Sequence, residues 1–294
     1  MDAFGTSIML GFSALLGFNQ AFVKIVNGGL APVFQSGLRS LCAFLPVLIY
    51  ALVVKKRLSV TDGSLTPGLI SGLLFCGEFC LLFTALDYTT VARASLFFYI
   101  MPFWVAIGAH FLIPEERLTR GRVMGLAIAL GGVTYALLSI SAVGTDDAWI
   151  GDLLCIFASM FWAGIALVAR TTRLSRSTPE MQLLYQLAVS AVILIAIAPL
   201  FGDLVREVTP TIVAIFAFQV IVVVAIGFVV WFWVLSVYPI SNMASFALLT
   251  PLFGVLAGWL IFDDQLTLAF VVSLILVGSG IFLINRPQQR GTTS

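Results

Sequence analysis

Glu78 sits in the stretch LLFCGEFCLLF, and its nearest charged neighbours in sequence are Asp62 and Asp87. At a rise of about 1.5 Å per helical residue, that places a carboxylate near the middle of a bilayer. A charge there must face a cavity, meet a partner or hold a proton. Glu78 is therefore a candidate proton site or contact for a substrate amine; the plainer alternative is an acid that bridges helices. Arg39 lies about 9 Å from the end of a second apolar run. It can grip a substrate carboxylate bidentately, pair with Glu78 or snorkel outward. Asn19 and Gln20 are adjacent, so they point about 100° apart and at most one faces a central cavity squarely; otherwise they hydrogen-bond between helices. Tyr99, Trp104, Ser159, Trp162, Tyr185, Gln186 and Gln219 stand at useful depths, and aromatic rings among them can stack on a substrate side chain or cation. The candidate substrate set is thus Glu78, Arg39, Asn19, Gln20, Tyr99, Trp162, Ser159, Tyr185 and Gln186.

His110 is the lone histidine; it reads as a packed or interfacial residue, with a proton relay as the alternative. Pro102 and Pro251 interrupt apolar runs near their middles, each freeing the carbonyl four residues earlier. They are static kinks or paired hinges. Cys76 and Cys80 are one helical turn apart, but no further Cys or His stands at ligand spacing, so they read as small apolar packing groups. No metal and no cofactor is expected. The chain contains no phosphate-binding loop, His-Glu-x-x-His or Gly-x-Ser-x-Gly, which argues against an ATP-driven machine or a membrane-embedded enzyme.

The elements that must carry these residues are membrane helices. Of 294 residues, 61% are hydrophobic and 10% charged, with mean hydropathy +1.10; a soluble domain carries about 25% charged residues. Net charge of +1 offers no field for nucleic acid. Runs of about 20 apolar residues recur ten times, near 4–26, 33–54, 67–87, 91–113, 121–141, 149–169, 180–201, 210–237, 241–263 and 266–285. The fold class is all-α, a polytopic protein of ten transmembrane helices. The first run reads as a permanent span rather than a removable signal. Placing both termini in the cytoplasm puts 11 of the 15 basic residues inside, as the positive-inside bias requires. A bacterial-type inner membrane is the expected location.

IPEERLTRG from Ile113 and IFDDQLTLA from Ile261 are two versions of one segment, with Glu115 and Asp263 standing 148 residues apart. The first carries Arg117, Arg120 and Arg122 and the second no arginine. An odd-numbered helical unit, written twice, must invert, so one copy of this loop faces the cytoplasm and the other faces out. Lys24 matches Arg170 at an offset of 146, Pro32 and Gln35 match Pro179 and Gln182 at 147, Gly132 matches Gly280 at 148, and Pro102 matches Pro251 at 149. The predicted units are 1–145 and 146–294, two inverted five-helix repeats in one membrane domain. Inverted repeats are a common build of secondary transporters, with substrate at the midplane between halves.

ALDYTTVARASLFFYIMPFWVAIGAHFLIPEERLT resembles the third-to-fifth-helix core of the EamA family, in the drug/metabolite transporter superfamily, and VLSVYPISNMASFALLTPLFGVLAGWLIFDDQLT repeats it. Within the family the chain is most similar to YddG-type amino-acid exporters. One departure is Asp263-Asp264 where the pattern has glycine-glutamate. The resemblance implies a ten-helix exporter of metabolites, often amino acids, working without ATP. The expected partners are a small-molecule substrate and the lipid bilayer. Proton coupling and oligomeric state stay open at this point. The rival readings are a nucleotide-sugar carrier, which needs a larger basic pocket than Arg39 and Lys24 supply, and a channel or enzyme.

Overall fold

The structure is a computed structural model and describes residues 3–138, 147–227, 230, 234 and 249–285. Helices α1 (Ala3–Asn27), α2 (Pro32–Val53), α3 (Leu65–Tyr88), α4 (Val91–Phe98), α5 (Met101–Leu112) and α6 (Arg120–Leu138) come first. Then follow α7 (Ala148–Thr171), α8 (Pro179–Ile197), α9 (Pro210–Phe218), α10 (Leu249–Phe262) and α11 (Leu268–Asn285). Among the described residues, seven helical stretches are long and apolar enough to cross a membrane, and three apolar ones are shorter (210–226, 249–262 and 268–284). The expected eighth and ninth spans fall partly outside the described residues. α4 and α5 together make the single expected span at 91–113.

Helix starts follow local chemistry. Thr178 and Thr209 each precede a proline at the first helical position and accept a backbone N–H, from Met181 and Ile212. The hydroxyl satisfies an orphan donor, and the proline has no N–H to leave unsatisfied. Beyond Phe218, α9 passes into a π-helical stretch, Gln219–Ile226.

The polarity of the bundle suits lipid. On α2, Leu41, Leu45, Ile49 and Leu52 form an exposed stripe, while Gln35, Ser36, Arg39 and Ser40 are buried. The helix thus turns its large apolar side chains outward and its polar ones toward its neighbours. α1 packs on α10, α2 on α8, α3 on α7 and α8, α4 on α10 and α7, α5 on α7, and α6 on α11.

The helix ends meet in two groups. On one, the basic face, the Thr178 hydroxyl donates to the Arg57 carbonyl and Arg170 pairs with Glu116. On the other, the far face, Ala31 N–H donates to the Leu204 carbonyl and Arg206 N–H to that of Gly29, forming an isolated antiparallel bridge between Leu30 and Val205.

Close backbone approach depends on glycine. A Cβ on Gly17 of α1 would lie 2.5 Å from the Phe253 Cβ and 2.7 Å from both the Gly254 nitrogen and the Thr250 carbonyl of α10. Gly125 and Gly280 meet in the same way between α6 and α11, and Gly72 meets Val189 of α8. Small residues let helices approach closely where lipid supplies no hydrophobic drive between them. Gly17→Ala is expected to destabilise the detergent-solubilised protein by about 1–3 kcal/mol, read as a lowered melting temperature. Gly11→Ala, with nothing within 4 Å of the new methyl, leaves it unchanged.

Candidate functional site

The fourth span is broken at mid-depth. α4 ends at Phe98, and α5 begins at Met101 with Pro102 in its first turn. Pro102 cannot donate to Phe98, so the α-helical ladder stops there, and Phe103 N–H turns to the Ile100 carbonyl at 2.8 Å. The break holds Tyr99 at the junction. Pro251 lies in the first turn of α10, and the residues just before that helix lie outside the described residues.

Three further side chains come near Tyr99, and a fourth, Arg39, lies near one of them. The Tyr99 hydroxyl lies beside the Gln20 side chain of α1 and within electrostatic reach of Glu78 of α3. Glu78 and Arg39 of α2 lie within reach of each other. Trp162 of α7 meets Tyr99 edge-on at 5.7 Å between centroids and stacks on Phe98 at 4.8 Å and 13°. Arg39 and Glu78 are only 5% and 4% exposed, so both charges are withdrawn from solvent.

The two charges are close but not joined. Among the described residues, no carboxylate oxygen comes within 4.0 Å of a guanidinium nitrogen of Arg39. The guanidinium lies instead against two neighbouring rings, 4.5 Å from the Phe79 centroid and 4.6 Å from that of Phe83, which themselves meet edge to face at 5.6 Å. Phe79 and Phe83 are four apart on α3 and share a face, whereas Glu78 points about 100° around the helix from Phe79. Cation–π contact of a desolvated arginine is worth about 2 kcal/mol. It holds the guanidinium against α3 while leaving its N–H groups free of a carboxylate among the described residues.

The other expected site residues stand apart from this cluster. Ser159, fully buried, accepts from Trp104 Nε1 at 2.9 Å and donates to the Ile156 carbonyl at 2.6 Å. Asn19 is half-buried, and its Oδ1 has no hydrogen-bond partner among the described residues. Tyr185 was expected at mid-depth; its hydroxyl is 3.1 Å from that of Ser64, at the basic-face start of α3, and its ring covers Gly68. Gln186 donates to Ser71 at 3.1 Å. Gln219, fully buried where α9 becomes π-helical, accepts from Gln35 at 3.4 Å. His110 accepts the Leu118 N–H through Nδ1 at 3.2 Å, a packing role at the end of α5.

Residue spacing did not single out the polar contacts of the far face. Arg93 of α4 forms a buried ion pair with Asp152 of α7 at 2.5 Å, with side chains 6% and 0% exposed. Thr89 donates to the same carboxylate at 2.7 Å, and Arg93 reaches the Ala136 carbonyl at 3.4 Å. Asn27 bridges the Phe83 carbonyl and Asp87, which also pairs with Arg206 at 2.7 Å. Arg93 and Asp152 each stand near the start of an apolar run, 91–113 and 149–169. The usable signal was their opposite signs at the same end of two spans.

Apolar helices with large side chains turned outward and charges buried within define a polytopic membrane protein. The EamA-like transporter family matches the chain twice, over residues 3–138 and 149–286. The chain belongs to that family, and it is a membrane transporter rather than an enzyme. It is 25% identical to a protein named Uncharacterized transporter YoaV from Bacillus subtilis (strain 168), covering 94% of this chain and 96% of that one. It is also 25% identical to proteins named Probable amino-acid metabolite efflux pump. The one from Salmonella typhimurium is covered over 93% of each chain, and the one from Escherichia coli over 91% of this chain and 90% of that one. A solved structure, titled only as the crystal structure of a protein, superposes with a TM-score of 0.65 at 19% identity over 97% of this chain and 98% of that one. That likeness is one of fold.

Proposed function

We propose that the chain is a secondary transporter that exports small organic metabolites, above all amino acids, by alternating access between two inverted repeats. The observation that carries the reading is the pair of buried opposite charges, Arg39 and Glu78, held near each other without closing into an ion pair. A zwitterion fits such a pair: its carboxylate takes the in-plane fork of Arg39 and its ammonium the carboxylate of Glu78. The indole of Trp162 and the phenol ring of Tyr99 offer apolar faces to a hydrophobic or aromatic side chain.

Several observations support the rest. The family unit occurs twice, and helix packing survives exchange of the first five spans for the last five. α2–α8 and α6–α11 map onto themselves, and α1 on α10 maps onto α7 on α4 and α5. Basic residues cluster at the face that holds the 54–64, 113–119 and 172–178 loops, which supports a cytoplasmic basic face in a bacterial-type inner membrane with both termini inside. Two relatives carry efflux in their names, which supports export. A nucleotide-sugar carrier is less well supported, because Lys24 is already committed to the Thr89 carbonyl at 2.6 Å and, among the described residues, Arg39 is the one basic group beside Glu78.

Counterflow in proteoliposomes against radiolabelled amino acids, amines and sugars tests the reading. Saturable exchange of amino acids supports it; exchange of phosphorylated sugars alone overturns it. Glu78→Gln is expected to weaken amino-acid binding roughly 10–100-fold, the worth of one charge-assisted hydrogen bond of about 1.5–3 kcal/mol. Binding of analogues lacking the amine should be unaffected. If Glu78 instead carries a coupled proton, the same variant keeps counterflow but loses its response to a pH gradient.

A further inference from the structure

We propose that Lys24 and Asp264 form the far-face gate, a two-ended clasp on the turn that joins α3 to α4. The inference rests on the alternating-access reading above and adds the residues that close one side.

The turn is gripped at both ends. The Lys24 ammonium donates to the Thr89 carbonyl at 2.6 Å, and Asp264 Oδ2 accepts the Ala92 N–H at 2.9 Å. Lys24 is on α1, and Asp264 lies just past α10, two helices packed on each other. The Lys24 ammonium also sits 5.6 Å from the Phe262 ring centroid, two residues before Asp264. One pair of helices thus holds the backbone of another pair, by charged groups on both sides of the turn.

The clasp has its own local engineering. Asp263 takes a left-handed backbone, φ 53°, a conformation that costs an L-residue other than glycine. That turn brings Asp264 back over α10, where its N–H donates to the Gly258 carbonyl at 3.2 Å. A Cβ at Gly258 would lie 2.8 Å from Ala92 N and against the Asp264 carboxylate, so glycine clears the space for the contact. Ala92, Ser95 and Tyr99 are three and four residues apart and share one face of the α4 span. The clasp therefore lies directly above Ser95, which packs on Gly254, and above the Tyr99–Gln20 contact of the central site.

The repeat supplies the released form. Lys24 stands 146 residues before Arg170, and Glu116 stands 148 before Asp264. At the basic face Arg170 and Glu116 hold each other directly. One acid–base couple thus occurs twice, gripping backbone at one face and self-paired at the other. When the far face opens, Lys24 and Asp264 neutralise each other as Arg170 and Glu116 do here, so opening strands no bare charge in lipid.

The test uses the full chain with its four cysteines replaced by alanine and a single cysteine at Ser95→Cys. A membrane-impermeant maleimide is added from the far face. Asp264→Asn and Lys24→Gln are each expected to raise the labelling rate about tenfold or more. Arg170→Gln at the opposite face should not raise it. Unchanged labelling in both clasp variants overturns the proposal, and so does a rise seen only where the melting temperature has collapsed, since that reports unfolding. Labelling needs no substrate. If the clasp variants open but no amino acid exchanges in proteoliposomes, the gate stands and the substrate assignment falls.

Discussion

Arg39→Ala is expected to abolish uptake and counterflow of every substrate carrying a carboxylate, a loss of at least about 100-fold, because two charge-assisted hydrogen bonds of about 1.5–3 kcal/mol each disappear. Simple amines should retain part of their binding through Glu78. The reason lies in how the guanidinium is held. Phe79 and Phe83, neighbouring rings set edge to face on α3, both rest against it, so the charge is held beside α3 before any ligand arrives. Arg39→Lys should rescue poorly. An ammonium is a point charge without a fork, and it is more strongly hydrated than a guanidinium. Phe79→Leu with Arg39 intact separates the two contributions: charge remains while one ring contact is lost, so affinity falls by an intermediate factor. Equal loss of amine and amino-acid binding in Arg39→Ala would show that the arginine serves the fold and not the ligand.

The second large effect concerns stability. Arg93→Ala or Asp152→Ala alone should destabilise the protein by about 3–5 kcal/mol, because each leaves a buried, uncompensated charge. Asp152 is fully buried and takes bonds from Arg93 and Thr89, so the loss of the arginine strands the acid most severely. Arg93→Met combined with Asp152→Leu removes both charges at similar volume and should recover most of that loss. Thermal unfolding of the four proteins in one detergent gives the answer. A double variant no better than the worse single variant would mean that shape, not charge pairing, sets the stability here.

The sequence made the helices easy to read and their faces hard. Long apolar runs have one physical solution in lipid, so α1 to α3 and α6 to α8 fall close to their expected bounds. Glu78 stood out for the same reason, since a lone carboxylate in such a run needs an explanation. Tyr185 misled because depth was counted from an approximate span. Its true neighbour, Ser64, lies in a different half of the chain, and no local pattern records that meeting. The contact of Arg39 with Phe79 and Phe83 was hidden likewise: in a chain with 25 phenylalanines, two at helical spacing are invisible until α2 is laid against α3. The π-helical turn at Gln219 leaves no mark in apolar spacing, because it adds a single residue to one turn.

The bridge between Leu30 and Val205 is made of peptide groups, with Ala31 and Arg206 donating to Leu204 and Gly29. Its strength does not depend on which side chains occupy it, so ordinary substitutions pass through unnoticed. It also ties the α1–α2 corner to the segment before α9, one strap from each half of the chain. If the two halves rock as proposed above, this seam is a fixed point about which they turn. Proline at Ala31 or Arg206, which deletes a strap donor, is the substitution to which such a pivot is sensitive.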